Sequence, residues 1–466
     1  MSNQAIQTLS SEQITQFLVA WSGGSPFTSY VRNVPPYDTF TWDGSKLKGD
    51  TGLSAAQVAA TQQGSTKALK MYFGRYGTIT NDPSGFTYHL IDEVPFEFDG
   101  VQIVLANGQL SGTQNMQCGF AVCPDFSDIN FNGGTYSQPG WSLFSGSNVV
   151  AAPAFAPGAS RYSYLISDLL NVQSIPRTDG LPGAIYCIRT FTRVASTVFS
   201  SWGANAADTT LTNWATKPLG TGRRVSRRQI GQFLSPATGF TSTTNIADNP
   251  IAGVIFWCRG AVVNIAKFGD SLTQGRGTYI GEGFVGVAAR NASSTKVSVS
   301  DFAISGTASS EYGQVAVDVM TALGSYIDIA VYASGSPNNV STTIDATAVR
   351  SGRTPLINFM QATRANKPRV MLLDWAPSNP ASATPAGVKN YLGTDSLRRD
   401  WNTALPSLGA TCGANVLPVS AAFSGASDGN GQTLIGAGLT SDGIHPNDAG
   451  ESAMAAACTA LASFVR

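Results

Sequence analysis

Apolar positions in the first 65 or so residues fall into two short helical groupings, separated by an irregular stretch rich in Pro, Gly and Tyr. Ser10 stands three residues before Gln13 in a capping-box arrangement, and Ile14, Phe17 and Leu18 make one apolar face. Ser54 and Gln57 repeat the arrangement ahead of Val58. The spacing predicts an N-terminal segment, residues 1–65, that either docks or attaches the chain or packs as an extension on the next domain. From about Lys67 the period shortens to two. Phe96-Glu97-Phe98, followed by Val101, Ile103 and Leu105 at alternate positions, reads as strands with Asp99-Gly100 as a turn signal between them. Ala184–Val194 and Gly253–Cys258 are further β-rich runs, and no long amphipathic helix interrupts them. Residues 66–260 are therefore expected to form an antiparallel β-sandwich, jelly-roll-like in type.

After Gly260 strand and helix patterns alternate. Val262–Phe268, Val297–Ile304, Ile327–Ala333, Val370–Trp375 and Val416–Val419 read as strands. Gly283–Arg290, Glu311–Leu323, Ile344–Ala365, Ser396–Leu408 and Ala449–Phe464 read as the intervening and closing helices. This order predicts an α/β domain over residues 261–466, a parallel sheet between helix layers, with ligands at the carboxyl ends of the strands.

Composition narrows the partners. Charged residues make up 12% of the chain, about half the usual share, and 29 Lys+Arg balance 29 Asp+Glu. No global field draws such a protein to nucleic acid or an anionic membrane, and a neutral partner such as a polysaccharide fits better. Arg223, Arg224, Arg227 and Arg228 form the one dense basic cluster, expected as a solvated loop. No basic segment followed by an apolar run opens the sequence, and no membrane span is expected. Export by another route or association with a virion both stay open. The six cysteines are scattered without zinc-ligand spacing, so buried free thiols are expected and no metal.

Two motifs carry chemistry. The first predicted strand of the α/β region ends in Phe268-Gly269-Asp270-Ser271-Leu272-Thr273-Gln274-Gly275, which places Ser271 at the sheet edge between flexible glycines. Ahead of the last helix stands Ser441-Asp442-Gly443-Ile444-His445-Pro446-Asn447. A serine hydroxyl needs a base that titrates near neutrality. Of the two histidines, His89 falls in the β-rich region, which leaves His445, with Asp442 three residues earlier to orient its ring.

Over Ala261–Arg466 the chain resembles the SGNH (GDSL) hydrolases, on Gly269-Asp270-Ser271-Leu272 and on Asp442 and His445. The resemblance implies a flavodoxin-like α/β/α fold and hydrolysis of esters, often acetyl groups on carbohydrates, without metal or cofactor. It implies Ser271 as nucleophile and oxyanion donor through its N–H, and Gly306 of Ile304-Ser305-Gly306 as a second donor. The family's GxND block is matched imperfectly by Gly335-Ser336-Pro337-Asn338-Asn339. Asn338 is the better match for the third donor, and Asn339 stays open. The implied activity is removal of O-acetyl groups from a glycan, or hydrolysis of another ester. The rival is a virion tail or receptor-binding protein with an adhesive, glycan-binding role. Both are compatible with a homo-oligomer or with attachment to a larger particle.

Overall fold

The computed structural model describes residues 30–31, 39–42, 47–49, 65–71, 75–78, 84–107, 114–124, 142–143, 149–152, 163–192, 197–200, 225–231, 248–249, 251–275, 282–292, 296–338, 346–362, 369–378, 395–427 and 433–462. The two helical groupings expected before residue 65 lie outside these residues. What is described of that segment is three short strands, Tyr30–Val31, Thr39–Trp42 and Leu47–Gly49, paired antiparallel.

Two larger sheets position the site, and their strands are numbered in chain order. They are β1 (Ser65–Met71), β2 (Phe86–Val94), β3 (Phe98–Asn107), β4 (Gln114–Cys123), β5 (Val149–Ala152), β6 (Ser163–Ile166), β7 (Ala184–Thr192), β8 (Val225–Ile230), β9 (Ile251–Phe268), β10 (Lys296–Asp301), β11 (Ile329–Ala333), β12 (Arg369–Leu373) and β13 (Asn415–Leu417). One antiparallel sheet runs in the order β5-β4-β7-β2-β8. The other runs β6-β3-β9-β11-β12-β13, with β1 and β10 also paired to β9.

The long strand β9 joins two kinds of structure. Its first half pairs antiparallel with β1 and β3, and its second half pairs parallel with β10 and β11. The sequence pattern gives two separate runs here, Gly253–Cys258 and Val262–Phe268, on either side of the domain boundary expected at residue 260. Arg259 and Gly260 instead lie within the strand at an exposed stretch, where the pairings with β1 and β3 shift register and end and the pairing with β10 begins at Val262. The Arg259 guanidinium reaches the Glu97 and Asp99 carboxylates, and the Arg259 backbone N–H donates to the Glu97 carbonyl at 3.1 Å. Asp99-Gly100 is likewise no turn. Both residues belong to β3, and the chain bends at Pro95-Phe96, where proline has no N–H to continue the ladder.

Side chains alternate across the shared strands. Ala68, Val101, Ile103, Val254 and Phe256 join a core with Leu90 of β2, Phe120 of β4 and Tyr186 of β7. Leu69, Val104 and Ile255 point the other way, into the core of the α/β layers. Each face of this part of the sheet thus supports a different core.

In the α/β region the central strands are buried throughout, as a parallel sheet covered on both faces requires. The helices are α1 (Ser271–Gln274), α2 (Gly283–Ala292), α3 (Ser309–Leu323), α4 (Ala346–Ala362), α5 (Asp395–Cys412), α6 (Val419–Phe423) and α7 (Asp448–Ala457). The closing helix expected as one piece is interrupted at Cys458 before a last turn, Thr459–Ala462. Of the arginine cluster, Arg227 and Arg228 sit in β8 opposite His89 and Tyr88 of β2, not in a loop, and Arg223 and Arg224 lie outside the described residues. Cys118, Cys187, Cys412 and Cys458 are buried and Cys258 is partly buried. Among the described residues no helix is long and apolar enough to cross a membrane.

Candidate active site

The end of β9 is built to present a hydroxyl. Gly269 has no room for a side chain, since a Cβ there would lie 2.2 Å from Thr273 Oγ1 and 3.0 Å from the Ala333 Cβ. Asp270 comes next as an N-cap, its Oδ1 accepting the Leu272 N–H at 2.9 Å. This starts α1 at Ser271, whose own N–H, at the first helical position, has no acceptor within the helix. Beneath α1 the buried Lys267 ammonium donates to the carbonyls of Thr273 and Gln274, at 2.7 and 2.8 Å, and pairs with the buried Asp301 carboxylate at 3.3 Å. A cation at the C-terminal end satisfies the carbonyls that the short helix leaves open.

The loop before α7 carries the other two groups. Asn447 caps that helix through its side-chain oxygen, which accepts from Ala449 and Gly450, and fixes where the preceding loop ends. In the loop, Asp442 Oδ1 accepts the N–H groups of Ile444 and His445 at 2.9 and 2.7 Å, and Oδ2 stands 2.6 Å from His445 Nδ1. His445 Nε2 lies 2.8 Å from Ser271 Oγ, so three residues drawn from both ends of the region form one hydrogen-bonded chain. Burial alone would raise the Asp442 carboxyl. The hydrogen bonds from the His445 N–H, the imidazole and the Ile444 N–H outweigh it and hold the group at about 2. Asp442 is therefore a carboxylate wherever the imidazole can act as a base, and only an Nδ1–H can face it, which leaves Nε2 to accept from Ser271.

The remaining expected donors lie on neighbouring loops. Gly306, after β10, takes φ +74°, a conformation that favours glycine. It stands third in a turn closed by the Thr307 N–H to the Ile304 carbonyl at 3.3 Å. Asn338 lies beyond β11, and its Nδ2 donates to the Thr307 carbonyl at 3.1 Å. One amide hydrogen is left over for a further acceptor. Gly306, Asn338 and Ser271 are thus all at the carboxyl edge of the parallel strands. Asn339, the other candidate, lies outside the described residues.

His89 is held apart from this group. It sits in the middle of β2, fully buried, where its Nδ1 accepts from Arg189 Nε at 3.2 Å and Cys187 Sγ lies at 3.4 Å. Sequence reasoning does not find three residues that the structure places beside the site, namely Lys267, Thr307 and Ser336. Lys267 occupies a strand position that reads as a chance polar residue, and nothing in Gly335-Ser336-Pro337 says that Ser336 meets Asp270. Among the described residues no group of three or more His, Cys, Asp or Glu is arranged to hold a metal ion.

Comparison with known proteins agrees with the motifs. Residues 268–453 match the family model described as GDSL-like Lipase/Acylhydrolase, so this part of the chain is a GDSL-like domain with a mixed α/β fold. Solved structures to which the chain is similar include an aryl esterase from M. smegmatis, 17% identical, over 44% of this chain and 98% of that one, with a TM-score of 0.32. A lipase/acylhydrolase from Enterococcus faecalis is 16% identical, over 42% of this chain and 92% of that one, with a TM-score of 0.30. A carbohydrate acetylesterase from Sinorhizobium meliloti is 13% identical, over 43% and 96%, with a TM-score of 0.31. No curated protein matches the chain.

Proposed function

We propose that this chain, whose residues 268–453 form a GDSL-like lipase/acylhydrolase domain, is a serine esterase acting through Ser271, His445 and Asp442. The observation that carries this reading is the hydrogen-bonded chain Ser271 Oγ, His445 Nε2, His445 Nδ1 and Asp442 Oδ2, with contacts of 2.8 and 2.6 Å. Ser271 Oγ attacks the ester carbonyl carbon while His445 Nε2 takes the hydroxyl proton, and the Asp442 carboxylate stabilises the imidazolium that forms. The Ser271 and Gly306 N–H groups and the free Asn338 amide hydrogen hold the oxyanion of the tetrahedral intermediate. His445 then returns its proton to the departing alcohol oxygen and leaves an acyl group on Ser271. A water gives a proton to His445 and attacks that acyl carbon, and His445 then returns the proton to Ser271 Oγ as the acyl–oxygen bond breaks, which releases the carboxylic acid and the free serine.

For the substrate, we propose O-acetyl groups on a neutral polysaccharide. Balanced charge, 29 basic against 29 acidic residues, supports an uncharged partner over nucleic acid or an anionic surface. In this reading residues 66–260 form a β-sandwich that delivers the domain of residues 261–466 to its polymer, the two meeting within β9, and residues 1–65 serve attachment. The test is acetate release by the full chain from a small acetyl ester and from a panel of acetylated and chemically deacetylated polysaccharides. Turnover of the small ester with no release from any polymer would keep the esterase and remove the glycan. An adhesin without chemistry would release acetate from neither.

A further inference from the structure

The proposed catalytic roles do not use the buried Ser336 hydroxyl. Ser336 is fully buried, and its Oγ stands 2.5 Å from Asp270 Oδ2 and 3.1 Å from the Thr307 carbonyl. The same oxygen accepts the Asn338 N–H at 3.1 Å. Asp270 is the cap of the nucleophile's helix, Thr307 adjoins Gly306, and Asn338 carries the side-chain donor. One hydroxyl therefore bonds the loop after β9 to the loop after β11, and its oxygen lies beside the loop after β10, which the Asn338 side chain reaches. The Thr307 carbonyl closes the arrangement by accepting Asn338 Nδ2 at 3.1 Å.

We propose that Ser336, held by Asp270, is the positioning residue for the Asn338 amide, which lets a block with one extra residue between its glycine and its asparagine still aim that amide at the oxyanion. The proposal rests on the esterase reading. Its chemistry comes from the hydroxyl inventory, one hydrogen to give and two lone pairs to receive. The hydrogen goes to the Asp270 carboxylate, a charge-assisted bond, and a lone pair takes the Asn338 N–H. Pro337, between the two, restricts the backbone and offers no competing N–H. Removing the hydroxyl leaves the Asn338 N–H without its acceptor and frees the loop to shift. An oxyanion donor that must sit about 3 Å from its target tolerates little displacement.

The experiment is a mutant cycle on the full chain with a small acetyl ester, using Ser336→Ala, Asn338→Ala and the double variant. Rates are expressed per active site counted by stoichiometric labelling of Ser271 with a fluorophosphonate, so any misfolded fraction drops out. Ser336→Ala is expected to lower kcat about 10-fold or more with KM changed less than about twofold, because it acts only where oxyanion charge develops. In the Asn338→Ala background the same change should cost almost nothing. Ser336→Cys, which keeps the volume and a weaker donor, should fall between. Equal losses from Ser336→Ala in both backgrounds, or a rise in KM at unchanged kcat, would overturn the positioning role while leaving the esterase intact. A wild-type chain with no ester turnover would overturn both.

Discussion

The two histidines make the difference between the two regions of this molecule plain. His89 sits mid-strand in the antiparallel region with no exposure, bonded by Arg189 beside Cys187, and its surroundings fix it in place. His445 sits in a loop at the carboxyl edge of the parallel sheet, 13% exposed, between a carboxylate and a hydroxyl. Other buried polar groups divide in the same way. Lys70 pairs with Asp92, and Arg177 with Glu93, inside the antiparallel region. Asp270, Ser336 and Thr307 instead gather where strands end and backbone N–H groups are left without ladder partners.

The sharpest way to break that comparison is to remove each imidazole in turn. His445→Ala should cut ester turnover by roughly 10³–10⁶-fold with the fold retained, and Ser271→Ala by a similar factor, while the double variant is scarcely worse than either single one. His89→Ala should leave kcat per active site near the wild-type value and lower stability instead, because it removes the acceptor of a buried arginine. Comparable kinetic losses from the two histidines would contradict the division.

Next in size is the amide. Asn338→Ala should lower kcat by roughly 10²–10³-fold with little change in KM, and Asn339→Ala should do much less. The opposite ranking would move the donor by one residue.

The boundary between the regions can be tested by stability. Ile255 faces the α/β core and Phe256, its neighbour on β9, the antiparallel core. Each change to Ala should cost about 2–5 kcal/mol. Because both residues belong to one strand, both changes should shift a single unfolding transition. Two transitions, each moved by one variant, would show that the cores unfold separately. A fragment starting at Ala261 cuts β9 in two and loses Leu69, Val104 and Ile255 from its core, so it is expected to aggregate rather than act as an isolated hydrolase.

The smallest expected effect is on pH dependence. Burial raises Asp270 to about 6, despite opposing hydrogen bonds from Ser336 and the Leu272 N–H, and burial likewise raises Asp374 to about 6. A raised carboxyl binds its proton more tightly in the folded state, so its contribution to stability is full below the ordinary value of 3.8 and is lost as pH rises through about 6. Asp442, held at about 2, has the opposite sign, and its contribution is lost only as pH falls toward 2. Asp374→Asn should therefore flatten the fall in stability between about pH 4 and 6 without affecting catalysis directly, read by denaturant midpoints across that range. An unchanged slope would remove Asp374 from the account.

Much of this was legible in the residues. The alternation after Gly260 gives the parallel strands and their helices to within a few residues, because strands such as Ile329–Ala333 are continuous apolar runs and the helices between them keep their period. Ser271, His445 and Asp442 are legible because a hydroxyl after a strand, a scarce histidine and a carboxylate three residues before it make one chemical requirement. The continuity of β9 was not legible, since Arg259-Gly260 has the composition of a turn and only the neighbouring strands show that it is a change of partners. Asp99-Gly100 misleads for the same reason, through local turn propensity that pairing with β9 overrides. Ser336 could not be found at all, because its partners Asp270 and Thr307 are 66 and 29 residues away along the chain.

Whether Ser271 is a nucleophile activated by His445 can be read from covalent labelling by a fluorophosphonate. The full chain should take up one phosphonyl group, mapped by peptide mass spectrometry to the peptide that carries Ser271. His445→Ala should slow the labelling by orders of magnitude and Ser271→Ala should abolish it. An unlabelled wild-type protein, a label on another residue, or labelling at an undiminished rate in His445→Ala would contradict the account.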